Sequence, residues 1–177
     1  MARRLNPAVE EALLVESAKK SDLLWVAFPA LGRPRAVWHV WEDGRAYLVG
    51  GGLEQPLPGL SDGGVVDVTA RSKDNGARLV TWSARCRRVP TASPEWGAVV
   101  PLLHAKRLNP SDGEDQPARW AASSEVWALE PIGIVDAYGR GNEDAHLAPP
   151  PPTNAVTSGP PPMVLHRRQR RRPSLTE

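Results

Sequence analysis

The chain has a single cysteine, Cys86, which excludes a disulfide framework and a cysteine-rich zinc site. Its four histidines, His39, His104, His146 and His166, show no metal-ligand spacing. No apolar run approaches the roughly 18 residues that mark a membrane-spanning helix. Phosphate-binding P-loop, dinucleotide glycine fingerprint, nucleophile elbow and metal-binding helix motifs are all missing. Residues 1–4 are basic, as in a secretory leader, but Glu10, Glu11 and Glu16 follow where a leader has its apolar stretch, so a cytoplasmic protein is expected.

Proline is abundant, with 19 residues, but eight of these lie within 149–177. That segment also holds five arginines against one glutamate, which leaves 17 Lys+Arg and 19 Asp+Glu for residues 1–148. The formal charge of +2 and the pI near 9.0 are therefore properties of the tail, and a basic nucleic-acid-binding domain is disfavoured. The length, 177 residues, suits one domain, expected over 1–146, with a Pro-rich and Arg-rich disordered tail over 147–177. Five arginines within 167–172 can contact a polyanion or an acidic partner, or serve only as a solvated extension.

Along the domain, Asn6-Pro7 gives an N-cap followed by proline in the first turn, and predicts a helix over 7–20. Strand texture follows over 23–28, 35–42 and 45–50, with Asp43-Gly44 as a tight hairpin turn. Residues 65–73 alternate, placing Val66, Val68 and Ala70 on one face and Asp67, Thr69, Arg71 and Lys73 on the other. A long strand over 78–89 follows a turn at 74–76, and Ser93-Pro94-Glu95 starts a second helix. A short helical piece near 118–122 precedes a last strand at 124–129 that can continue past Pro131. Tight turns imply antiparallel pairing, and the element order implies a mainly β protein, a small barrel with helices outside.

Four constellations carry candidate chemistry. Trp38, His39 and Trp41 lie near Trp25 on the neighbouring strand, with Trp38 facing opposite to His39 and Trp41; they are either core packing on one face and a partner interface on the other, or an aromatic wall against a planar ligand. Arg71 and Lys73 share a face near a strand end, with Ser72 facing the other way unless the turn brings it round; they are either a solvated charged face or a phosphate site. Gly51, within Gly50-Gly51-Gly52, is either a flexible turn or a close approach to an anion or ring. Lys106 and Arg107, with His104, either complement the helix dipole or reach a phosphate. Cys86 is expected to be a buried small residue.

The stretches Trp25-Val-Ala-Phe-Pro, Ala36-Val-Trp-His-Val-Trp-Glu-Asp-Gly-Arg-Ala-Tyr-Leu-Val-Gly and Val66-Asp-Val-Thr-Ala-Arg-Ser-Lys, in this element order, resemble the pyridoxamine 5′-phosphate oxidase-like, FMN-binding split-barrel superfamily over about residues 7–135. The resemblance implies a six-stranded antiparallel split barrel with peripheral helices, paired as a homodimer. It implies FMN or a deazaflavin coenzyme as cofactor, and an oxidoreductase; loss of the cofactor, as in some members, would leave a non-catalytic dimeric interaction module. It also implies phosphate contacts from the hairpin before the connecting loop and from a basic residue after it. That loop here runs from Gly50 to Leu60 without the lysine common in deazaflavin-binding members, so Arg71 and Lys73 are the candidates to take its place. The expected cofactor-binding set is Trp38, His39, Trp41, Gly51, Arg71, Ser72 and Lys73.

Overall fold

The computed structural model describes residues 6–73, 76–108 and 113–137. The expected tail, and most of the turn at 74–76, lie outside the described residues.

Helix α1 (Pro7–Lys20) starts where the sequence places it, with the Asn6 side chain accepting from the Ala8 amide at 3.0 Å. Seven strand segments follow: β1 (Leu23–Val26), β2 (Arg35–Trp38), β3 (Val40–Glu42), β4 (Arg45–Gly50), β5 (Val65–Arg71), β6 (Arg78–Val89) and β7 (Glu125–Ala137). All pairings are antiparallel, in the order β2-β1-β5-β6-β7-β4-β3. The two end strands of that order are consecutive in the chain, separated only by His39. A single run of chain therefore pairs with β1 through its first half and with β4 through its second, which bends the sheet round into a barrel. Counted as one bent strand, β2 and β3 make the barrel six-stranded. The sequence reads 35–42 as one continuous strand; the break at His39 is the price of closure.

The β3–β4 turn has positive φ at both Asp43 (45°) and Gly44 (75°), the geometry whose twist suits a two-residue hairpin. Strand β7 does run through Pro131, which faces Ala84 beside a register shift in β6. Proline donates no amide hydrogen, so an irregularity at that point spares the ladder an unmatched acceptor.

Two apolar clusters hold the fold. One fills the barrel with Leu24, Val26, Leu48, Val68, Trp82 and Leu129, closed by Leu14 and Ala18 of α1. The other lies between the outer barrel wall and helices α2 (Pro94–Lys106) and α3 (Gln116–Ser123), and contains Tyr47, Val49, Val99, Leu103, Trp120 and Val126. Strand β4 divides its side chains between them, Ala46 and Leu48 inward, Tyr47 and Val49 outward, which explains its unbroken apolar run. The Ser93 hydroxyl caps α2 by accepting from the Trp96 amide at 3.1 Å. Glu95 in the first turn fastens α2 to the barrel, accepting from the Tyr47 hydroxyl at 2.8 Å and from both terminal nitrogens of Arg87 at 2.7 and 2.8 Å.

Candidate functional site

Arg71 is the last residue of β5, and the register shifts between Ala70 and Arg71. Leaving the strand there turns Ser72 onto the same side as its neighbours, so that Arg71, Ser72 and Lys73 together line two adjoining hollows of about 370 Å3 each. One hollow is completed by Glu16, Ser17 and Lys20 of α1. The other is completed by Asp22, Leu23 and Trp25. The Arg71 guanidinium lies 4.5 Å from the Trp25 ring centroid, a cation–π stack that holds a flexible side chain in place. Lys73 Nζ meets Asp22 Oδ1 at 3.0 Å, with both side chains largely in solvent. Such a pair contributes little on its own, about 0–1 kcal/mol, and yields readily to a stronger anion. Its Lys73 hydrogen bond is the main reason the Asp22 carboxyl is held below the usual carboxylate range.

The other candidates separate. Trp38 is half-buried on the outward face, 6.3 Å from the buried Trp120 ring. His39 is fully buried; its Nε2 lies 2.9 Å from the Ala18 carbonyl, and its Nδ1 has no hydrogen-bond partner among the described residues. Burial pushes the imidazole pKa down to about 4, so the ring is neutral and Nε2–H donates to Ala18. Trp41 is also interior, its ring edge-on to Trp82 at 6.3 Å. The proposed aromatic wall is thus divided: His39 and Trp41 take the core side, and only Trp38 reaches the surface with Trp25. Alternation across the break at His39 dictates this, because α1 and the barrel interior occupy that side. Gly51, at φ 81°, has its carbonyl accepting from the Glu54 amide at 3.0 Å and lies against Ser123 and Ser124, apart from Arg71. Cys86 is buried, and burial alone pushes its thiol up to about 11, so it is not a poised nucleophile.

Sequence reasoning passed over Glu54. Its side chain is 1% exposed, and its Oε1 accepts from Arg119 Nη2 and Trp120 Nε1, both at 2.9 Å. Arg107 Nε stands 3.2 Å from Oε2, an ion pair without hydrogen-bond alignment. The Arg107 guanidinium in turn lies 5.5 Å from the Trp38 ring centroid. Next to Glu54, Gln55 holds Trp38 at both backbone groups: its Oε1 accepts from the amide and its Nε2 donates to the carbonyl, each at 2.9 Å. None of these partners is near in sequence, and a Glu-Gln pair inside a Gly/Pro-rich loop carries no local signal.

No family model and no curated protein matches the chain. Among solved structures, the heme storage protein HutZ from Vibrio cholerae superimposes with a TM-score of 0.51 at 17% identity, covering 76% of this chain and 96% of that one. A putative general stress protein 26 from Jannaschia gives 0.46 at 12% identity, over 70% and 74% of the two chains. A putative 5-nitroimidazole antibiotic resistance protein from Bacteroides thetaiotaomicron gives 0.46 at 13%, over 74% and 82%. The closed six-stranded antiparallel barrel with helices packed outside is a split barrel, the fold this chain shares with HutZ.

Proposed function

We propose that the chain is a flavin-type cofactor-binding protein, an FMN- or deazaflavin-dependent oxidoreductase, acting as a homodimer. The observation that carries this reading is the convergence of Arg71, Ser72 and Lys73 with Trp25 on open hollows at the end of β5. The residues present fit the group. Arg71 and Lys73 offer two cations to a phosphate, and Lys20 lines the same hollow. Trp25 and Trp38 offer apolar ring faces on the outward side of β1 and β2. Bound there, the cofactor ring would supply hydride-transfer chemistry; the chain's part is to bind the phosphate, orient the ring and keep water from it. The fold supports the reading, since the superfamily takes its name from an FMN-dependent enzyme.

The test is titration of the full chain with FMN and with a deazaflavin coenzyme, for wild type and for the double variant Arg71→Ala, Lys73→Ala. Each lost charge-assisted hydrogen bond costs about 1.5–3 kcal/mol, so the double variant should bind at least about a hundredfold more weakly. Equal affinities would remove Arg71 and Lys73 from the site. A wild-type protein that is colourless and binds neither compound would leave a dimeric interaction module without a cofactor.

A further inference from the structure

A third hollow, of about 310 Å3, adjoins the proposed cofactor site and, among the described residues, shares Asp22 and Leu23 with the hollow beneath Trp25. Its remaining walls are Trp38, Lys106, Arg107 and Leu108. The strand register explains the adjacency. Leu23 lies directly opposite Trp38 across β1 and β2, and Trp25 is two residues further along β1, on the same outward face as Leu23.

The walls are fixed rather than accidental. Trp38 is held at both backbone groups by Gln55, and its ring lies against the buried Trp120 ring. Arg107, above Trp38, is drawn to Glu54, and Glu54 also accepts from Trp120 Nε1. One buried carboxylate therefore ties together both partners of the Trp38 ring. The Nε edge of Arg107 faces Glu54, and its guanidinium lies over the Trp38 ring while lining the hollow. Lys106 stands beside it at the exposed rim of the hollow. Among the described residues, the charges lining it are the cations Lys106 and Arg107 and the carboxylate Asp22, which is itself paired with Lys73. The lining is thus an indole and two leucines with an excess of positive charge. Its volume sits at the small end of ligand pockets, which favours a small molecule over a chain segment.

We propose that this hollow binds a small planar aromatic carboxylate, its ring against Trp38 and Leu108 and its carboxylate on Lys106 and Arg107, as a substrate subsite beside the cofactor hollow. The subsite role rests on the flavin reading; the binding itself does not. A flat ring gains from stacking on an indole, and a carboxylate gains from a guanidinium and an ammonium together.

Isothermal titration of the full chain with 2-naphthoate, and with neutral 2-naphthamide, tests the proposal. Saturable binding of naphthoate at least about tenfold tighter than naphthamide is expected, the equivalent of one good charged hydrogen bond. Lys106→Glu should abolish that preference, and so should Leu108→Glu, a change at an exposed residue that leaves the core untouched even if the first variant folds poorly. Arg71→Ala should leave naphthoate affinity within about twofold, because Arg71 lines the neighbouring hollows and not this one. Equal affinity for acid and amide, or naphthoate binding unchanged in both glutamate variants, overturns the proposal. FMN affinity retained in Lys106→Glu, with naphthoate binding lost, supports two adjoining sites. Naphthoate binding without any FMN or deazaflavin binding supports the hollow and overturns the cofactor reading alone.

Discussion

Glu54 sits between two arginines and an indole N–H with its side chain 1% exposed, an arrangement that holds only while every member is present. Removing the charge from a buried, paired carboxylate strands its partners, and Glu54→Gln should cost about 3 kcal/mol in denaturant unfolding. A change below about 0.5 kcal/mol would mean that Arg107 and Arg119, 33% and 19% exposed, recover in water what they lose. His39 makes a second residue-scale prediction. Burial lowers its pKa from 6.5 to about 4 in the folded protein, so the unfolded chain binds the proton more readily. The stability it supports is complete above pH 6.5 and is lost as pH falls toward 4, by up to about 3 kcal/mol. Glu95 and Asp22, whose carboxyls are held low, add their own losses only at more acidic pH. Unfolding measured from pH 7 to 4.5 should slope downward in wild type and flatten in His39→Gln, which keeps a donor for the Ala18 carbonyl. A wild-type profile flat over that range would show that His39 does not take up its proton on unfolding there.

At the scale of elements, the loop from Gly50 to Leu60 acts as a strap across the barrel seam. Gln55 supplies Trp38 with the donor and acceptor that a further strand would give, at the point where the chain passes from one pairing to the next. Gln55→Ala should leave both groups unmatched, destabilise the protein by about 1–3 kcal/mol, and speed hydrogen exchange at the Trp38 amide more than at the Val37 amide. Equal exchange at the two amides would show that Gln55 does not close the seam. Gly52 shows how closely the strap is laid: its φ is 59°, and a Cβ there would stand 2.9 Å from the Ser123 carbonyl oxygen. Gly52→Ala should therefore destabilise by about 1–2 kcal/mol, whereas Gly44→Ala, with open space around it, carries only the cost of its φ of 75°. Thermal unfolding of the two variants side by side separates a steric contact from backbone preference.

For the whole molecule, closure of the barrel leaves exposed apolar residues on its strands, among them Leu23, Val65, Ile132 and Val135. Pairing of two barrels, as proposed, would cover part of this surface. Light scattering of the full chain should give twice the mass of 19.2 kDa at micromolar concentration. The mass of one chain would overturn the dimer. None of the helices in the described residues is long and apolar enough to cross a membrane.

The sequence by itself determined the elements, because their signals are local. Asn6-Pro7 and Ser93-Pro94 mark helix starts through side-chain capping, Asp43-Gly44 marks a hairpin through positive φ, and alternation over 65–71 marks a half-buried strand. It also placed Arg71, Ser72 and Lys73 together at a strand end, since neighbours in sequence stay neighbours in space. Only the tertiary structure decided that 35–42 breaks at His39, because barrel closure is a property of the whole hydrogen-bond order. Alternation set Trp38 opposite His39 and Trp41, but the fold alone made the His39 side the interior, since that depends on where α1 and the other strands pack. It alone made Glu54 the centre of a charged cluster, because a carboxylate's burial and its arginine partners, 53 and 65 residues away in the chain, exist only once the chain has folded.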